Sequence, residues 1–186
     1  MLAKHFCLAS LFLKLIMKKK ITVISDSHGE ISNFIWPYIK SSDYIFHAGD
    51  ICSTDIIFNL KKACKNVYIV AGNNDVPEKY FSIEDKKIIS KLNKNLNVNI
   101  DGKIISLEHG HRFGHKADHE GLRNSYPNSK LIIYGHTHYQ VCDQNKEPWV
   151  INPGACGNTR NNDGGPCFIQ IEMDGSEWNI IPYCFN

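Results

Sequence analysis

The sequence predicts an α/β fold of two stacked mixed β-sheets flanked by helices, and three observations lead there. In the first half, short apolar runs alternate with stretches of helical spacing: Ile21-Thr22-Val23-Ile24-Ser25, Tyr44-Ile45-Phe46-His47 and Val67-Tyr68-Ile69-Val70 enclose two amphipathic segments. A β-α-β-α-β order implies parallel strands joined by right-handed crossovers. After Ala71, strand-like runs fold back around Asp101-Gly102 and Asp174-Gly175. Such turns need positive φ and make the second half mostly antiparallel. Two stacked sheets with helices on the outside would account for both halves. Finally, five strand-like runs each end in a short segment carrying nitrogen and oxygen donors, the place where open α/β sheets put their sites.

In chain order, Ile31, Phe34, Ile35, Tyr38 and Ile39 recur at helical spacing and predict a helix of about ten residues, kinked or shortened by Pro37. Thr54 is the expected N-cap of a helix over Asp55 to Cys64, with Ile56, Ile57, Leu60 and Ala63 on its buried side. Lys86 to Asn99 mixes Ile, Leu and Val with Lys and Asn, a pattern shared by short strands and loops and open to use as the interface of a homo-oligomer. Lys116 to Tyr126 predicts a helix ending before Pro127. Strands are expected over Tyr139 to Cys142 and Trp149 to Asn152, around the turn-rich Asp143-Gln144-Asn145, and over Cys167 to Ile171 and Trp178 to Tyr183. The loop from Asn152 to Gly165 is rich in Gly and Asn.

A length of 186 residues supports one full core and is short for two, so residues 17–186 are expected to form a single domain. A net charge of +2, with no like-charge block beyond Lys18-Lys19-Lys20, makes no electrostatic case for nucleic acid. Seven cysteines without a C-x-x-C pair fit reduced thiols in a cytosolic enzyme better than a disulfide framework. Cys52 follows Asp50-Ile51 and is expected as a small buried apolar residue rather than a neighbour of the site. Leu8-Ala9-Ser10-Leu11-Phe12-Leu13 is like a secretory apolar region, but Lys14 interrupts it, no small-residue cleavage site follows, and it is too short to span a membrane. Met17 opens Met17-Lys18-Lys19-Lys20-Ile21, so residues 1–16 are expected to be an extension outside the fold of a cytoplasmic protein with no membrane partner.

The donors begin with Tyr134-Gly135-His136-Thr137-His138, where Gly135 is expected to turn the backbone after a buried strand and two imidazoles stand one residue apart. Alone, such a pair is also compatible with two hydrogen-bonded surface histidines. Four more strand ends add Asp26-Ser27-His28-Gly29, Ala48-Gly49-Asp50, Ala71-Gly72-Asn73-Asn74-Asp75 and His109-Gly110-His111. The ordered set D-x-H, G-D, G-N-x-D, H-G-H, G-H-T-H resembles the calcineurin-like metallophosphoesterase superfamily from about Lys18 to Tyr183, and within it the small bacterial and archaeal phosphodiesterases.

Asp26, His28, Asp50, Asn73, His109, His136 and His138 make seven donors, more than one structural zinc needs. The resemblance implies two divalent metal ions, the first held by Asp26, His28, Asp50 and His138, the second by Asp50, Asn73, His109 and His136, with Asp50 as the bridge. It implies a small phosphate-ester substrate attacked by a metal-bridging hydroxide, with Asp50, Asn73 and His109 catalytic. Imidazole and carboxylate without thiolate suit manganese, the leading expectation, or zinc, iron or nickel. Where the wider superfamily's phosphatases carry a histidine after the Asn, this chain has Asn74, and an amide is no general acid at neutral pH. That favours phosphodiesters or esters with good leaving groups. Asn74, His111 and Arg160 are the expected substrate-binding residues, although His111 also reads as a surface histidine and Arg160 as a solvated loop arginine. His115 and His119 stand at i,i+4, but Lys116 replaces the glutamate a metalloprotease needs, and His47 is expected to orient a ligand from behind. The alternative is a catalytically weak binding or scaffold protein on the same fold. The retromer subunit that resembles this family lacks the histidine of D-x-H, whereas this chain keeps His28.

Overall fold

A computed structural model describes residues 18–157, 164–175 and 177–185. The expected extension over residues 1–16, and Arg160, lie outside the described residues. The elements run β1 (Lys19–Ile24), α1 (Trp36–Lys40), β2 (Tyr44–His47), α2 (Thr54–Ala63), β3 (Asn66–Ile69), a 3-10 turn (Pro77–Lys79), α3 (Ile83–Ile89), β4 (Asn95–Ile100), β5 (Lys103–Glu108), a second 3-10 turn (His111–Phe113), α4 (His119–Ser125), β6 (Leu131–Ile133), β7 (Gln140–Asp143), β8 (Trp149–Pro153), β9 (Cys167–Asp174) and β10 (Glu177–Cys184). They form two five-stranded sheets of order β10-β9-β1-β2-β3 and β4-β5-β6-β8-β7. Both are mixed: β1, β2 and β3 are parallel, as are β5, β6 and β8, while β9, β10, β4 and β7 pair antiparallel at the flanks. The parallel centre of the second sheet is more than its hairpin signals conveyed, because the segments that join its strands are long crossovers.

Side-chain alternation builds the layers. Ile21 and Val23 of β1 point between the sheets with Phe46, Ile105, Leu107, Leu131, Ile133 and Ile151, forming the central core. Ile24 and Ile45 point the other way, under Ile35, Ile39, Ile56, Ile57 and Leu60. Ile132 and Val150 face Leu122 of α4 on the far side. The result is helix, sheet, sheet, helix, as the sequence predicts.

Several local expectations are corrected. Only Trp36–Lys40 is helical in the first amphipathic segment, so the shortening expected at Pro37 is present; Pro37 sits in the first turn, where a missing N–H costs nothing, and starts the helix rather than interrupting it. Ile31 and Ile35 still pack beneath it from the segment before the helix. Helix α2 begins at Thr54, not after it, and the Thr54 hydroxyl donates to Asp85 of α3 rather than capping. Lys86 to Asn99 holds the end of a helix before its strand. Ser82 caps α3 by accepting from the Asp85 N–H at 3.0 Å, so Ser82-Ile83-Glu84-Asp85 was the legible start signal. Asp101 and Gly102 both have positive φ, 50° and 80°, as the hairpin demands.

The reduced-thiol expectation fails for one pair. Cys167 and Cys184 face each other in the β9–β10 register with Cα atoms 4.2 Å apart and form a disulfide. Gln140 fastens the same corner: its amide nitrogen donates to the Pro153, Phe168 and Tyr183 carbonyls, tying β7 to β9 and β10. Among the described residues no helix is long and apolar enough to cross a membrane.

Ile133, fully buried between the sheets in a strand of three residues, has no room to be replaced cheaply. Ile133→Ala should lower unfolding free energy by about 2–5 kcal/mol. Urea denaturation should show this as a reduced midpoint at unchanged slope, and an unchanged midpoint would remove β6 from the central core.

Candidate metal centre

The carboxyl ends of β1, β2, β3, β5 and β6 carry the five donor segments, and backbone hydrogen bonds lay the first directly on the second. Asp26 N donates to Gly49 O at 2.9 Å, His28 N to Asp50 O at 3.0 Å, and Gly29 N to Ile51 O at 2.8 Å. Asp26, His28, Asp50, Cys52, His136 and His138 all have φ between 46° and 69°, a conformation that costs a non-glycine residue about 1–2 kcal/mol. Strain of this kind persists only where the surroundings over-determine it. Here it brings Asp26, His28 and His138 into one space and turns the His136 ring toward His109.

Two groups of ligand atoms result, Asp26 with His28 and His138, and Asp26 with Asp50 and His109, each within 4.8 Å. His28 Nε2 and His138 Nε2 face each other at 3.2 Å, and His138 Nε2 lies 3.3 Å from Asp26 Oδ1. His28 Nε2 is 3.8 Å from Asp50 Oδ2, and His109 Nε2 is 3.5 Å from Asp50 Oδ1, so Asp50 stands between the two histidines. Asp26 Oδ2 accepts from the Ser25 hydroxyl at 2.6 Å and from His136 N at 3.0 Å. Its other oxygen, Oδ1, is buried without a hydrogen-bond donor. His109 Nδ1 bonds the Ala48 carbonyl at 2.7 Å and must donate there, so a neutral ring turns its Nε2 lone pair to Asn73 Oδ1, 3.1 Å away, and to Asp50. A buried Asp26 oxygen without a donor, set among imidazole and carboxylate ligand atoms, fits a divalent metal.

Titration of the cluster is set by its own charges and burial. Burial opposes charge on His109, yet the Asp50 and Asp26 carboxylates hold its pKa above the ordinary value. Burial likewise pushes against ionisation of Asp50, but His109 and the Asn74 donors keep its carboxyl far below the usual range.

Not every expected residue sits in a ligand cluster. His136 contributes its backbone N–H to Asp26, and its ring lies edge-on to His109 with centroids 5.2 Å apart. Asp26 belongs to both groups and Asp50 to the second. Asn74 grips Asp50 with its backbone N–H at 2.8 Å and its amide nitrogen at 2.5 Å. His111 is exposed, its ring 5.5 Å from that of His109. His47 is fully buried: its Nδ1 accepts from Gly49 N at 3.2 Å and its Nε2 meets Ser27 Oγ at 3.0 Å, joining the first two donor loops. Burial lowers its pKa to about 4, so it works as a neutral spacer. Cys52 is not the core residue expected. Its positive φ turns the thiol outward to 3.7 Å from His28 Nδ1.

Sequence reasoning missed four residues. Asp75 accepts from the backbone N–H groups of Ile51, Cys52 and Gly72 at 2.9–3.1 Å and from the Tyr80 hydroxyl at 2.9 Å. Asn152, expected only as the last residue of a strand where the Gly-rich loop begins, is buried and donates to the Gly135 carbonyl at 2.8 Å. His115 stacks on His136 with centroids 5.4 Å apart. Lys79 donates to the Asn74 amide oxygen. Only Asp75 left a sequence trace, as the last residue of G-N-x-D. The role of Gly135 also changes: its φ is not positive, but a Cβ there would stand 1.9 Å from Ser25 Oγ, and one on Gly72 would stand 2.2 Å from Asp50 Oδ1. Close approach, not a turn, requires these glycines.

Two clefts flank the cluster. One, of about 330 Å³, is lined by His28, Cys52, Asn74, Lys79 and Tyr80. The other, of about 250 Å³, lies between Lys94-Asn95 and the segment from Glu108 to Arg112.

Residues 19–175 match the Calcineurin-like phosphoesterase superfamily domain. A phosphodiesterase from Methanocaldococcus jannaschii is 29% identical over 149 residues, 74% of this chain and 84% of the relative. A probable metallophosphoesterase from Mycoplasma genitalium is 29% identical over 172 residues, 85% of this chain and 90% of the relative. The structure of Vacuolar Protein Sorting 29 from Cryptosporidium parvum superposes with a TM-score of 0.69 at 21% identity, covering 91% of this chain and 98% of that one, which shows the shared fold.

Asp75→Asn turns an amide NH2 toward backbone donors and should cost about 1–3 kcal/mol for each N–H left unpaired. Tyr80→Phe removes a single bond and should cost about 1 kcal/mol. Paired urea titrations check the order, and equal stability of Asp75→Asn and the parent protein would refute the anchoring role.

Proposed function

Because the chain belongs to the calcineurin-like phosphoesterase superfamily, we propose that it is a metal-dependent phosphodiesterase acting on a small phosphate ester. The observation that carries this reading is the convergence of acceptor atoms around Asp26, Asp50 and His109, with a buried Asp26 oxygen left without a donor. Asp26, His28, Asp50 and His138 would hold one divalent ion, and Asp50, Asn73, His109 and His136 a second. Two such ions supply Lewis-acid polarisation of the phosphoryl group and lower the pKa of water. Manganese leads the candidates, with zinc, iron or nickel suited to the same donors.

The chain's own groups then have defined work. The Asn73 amide oxygen is turned to His109, which leaves its N–H groups to donate to a non-bridging phosphoryl oxygen. Asn74 holds the Asp50 carboxylate in one orientation through two hydrogen bonds. His111 and His115 ring the rim beside His136. A diester has two substituents, and the clefts on the His28 and His109 sides offer each a place; a monoester would fill one. The M. jannaschii relative named as a phosphodiesterase supports the same choice.

The test is hydrolysis of bis(4-nitrophenyl) phosphate by metal-stripped protein with and without added manganese. Turnover should depend on metal, and Asp50→Asn should lower it beyond the roughly 10–100-fold typical of residues that only support a ligand. Folded protein that turns over nothing with manganese, zinc, iron or nickel would replace this reading with a binding or scaffold role.

A further inference from the structure

The larger cleft beside His28 has a feature that diester hydrolysis alone does not use. Its rim carries the ammonium of Lys79, which donates to the Asn74 amide oxygen, while the nitrogen of the same amide donates to Asp50 Oδ2 at 2.5 Å. The amide is thus fixed at both ends, and it fixes the lysine relative to the candidate metal centre. Among the described residues no carboxylate pairs with Lys79. An ammonium has three donors, so two remain for the cleft.

The backbone beneath Lys79 is equally constrained. Residues Pro77–Lys79 form a 3-10 turn that opens on a proline, and Tyr80 N closes it on the Pro77 carbonyl at 3.1 Å. The next residue, Tyr80, is buried and gives its hydroxyl to Asp75, the carboxylate that also gathers the Ile51, Cys52 and Gly72 N–H groups. One anchor therefore holds both the Asp50 loop and the turn that presents the lysine. A cleft of about 330 Å³ lies at the small end of the roughly 300–1,000 Å³ range of small-molecule sites, room for a sugar-phosphate-sized arm.

We propose that Lys79, held by Asn74, forms a subsite for a second phosphate carried on one ester arm of the substrate, so that the preferred substrate is a phosphodiester with an additional phosphomonoester group. This inference rests on the phosphodiesterase reading for its reaction but not for its binding. The Cys52 and Tyr80 side chains give the arm a less polar wall.

The experiment compares thymidine 5′-(4-nitrophenyl phosphate) with the same compound bearing a 3′-phosphate, using manganese-loaded full chain. In parallel, calorimetry measures binding of thymidine 3′,5′-bisphosphate and thymidine 5′-monophosphate. The parent protein should favour the 3′-phosphorylated member of each pair by about tenfold, equivalent to about 1.4 kcal/mol. Lys79→Met should erase most of that ratio and Lys79→Arg should keep it, with the change in KM rather than kcat. No preference in the parent protein, or a preference that survives Lys79→Met, overturns the subsite. If neither ester is hydrolysed but the bisphosphate preference is present and lost in Lys79→Met, the subsite stands and the phosphodiesterase reading falls.

Discussion

The Asp75 carboxylate is the constraint on which the centre depends. It lies at the end of β3, yet its hydrogen bonds reach the loop after β2, its own Gly72 and the ring of Tyr80. Without it, Asp50 would ride on a loop whose N–H groups had no acceptor, in a place too buried for water to serve. A carboxylate accepts several N–H bonds at once, which lets one side chain stand in for a strand's worth of ladder. Asp50, Asn74 and Lys79 are positioned as a consequence, since each is bonded to the next.

Order bought in this way is spent on arrangements that are unfavourable by themselves. These are the left-handed backbone at Asp26, His28, Asp50, His136 and His138 and the donorless buried oxygen on Asp26. The surrounding sheets are well packed, with Ile24, Ala48, Ile133 and Tyr134 buried immediately before the donor loops. Rigid strand ends hold the loops where relaxation would otherwise separate the donors. A cation beside Asp26 would turn the cost of its donorless oxygen into an attraction.

Hydrogen bonding across the sheets gives the other half of the scaffold its shape. Asn152 ties β8 to the Gly135 and Thr137 loop, and Gln140 ties β7 to β9 and β10. Both are neutral amides in mostly buried surroundings, where each bond satisfied removes a desolvation cost. The Cys167–Cys184 bridge closes the same edge.

The succession of strands along the chain, the donor types and the two-sheet layering were legible in the sequence alone, because period-two alternation and turn chemistry act over a few residues, whereas the order of strands within each sheet was not. Pro37 shows the limit: its presence was legible, but whether it begins a helix or bends one depends on what Ile31 and Ile35 pack against. The Cys167–Cys184 pair, the reach of Asp75 and Asn152, the stacking of His115 and the tether on Lys79 were decided only by tertiary structure. Each joins residues through a register or a loop crossing, and such distances are set by how two sheets pack rather than by spacing along the chain. Gly135 and Gly72 belong to both: their identity was visible as part of a motif, but its reason, a gap too narrow for a Cβ, exists only once Ser25 and Asp50 are opposite.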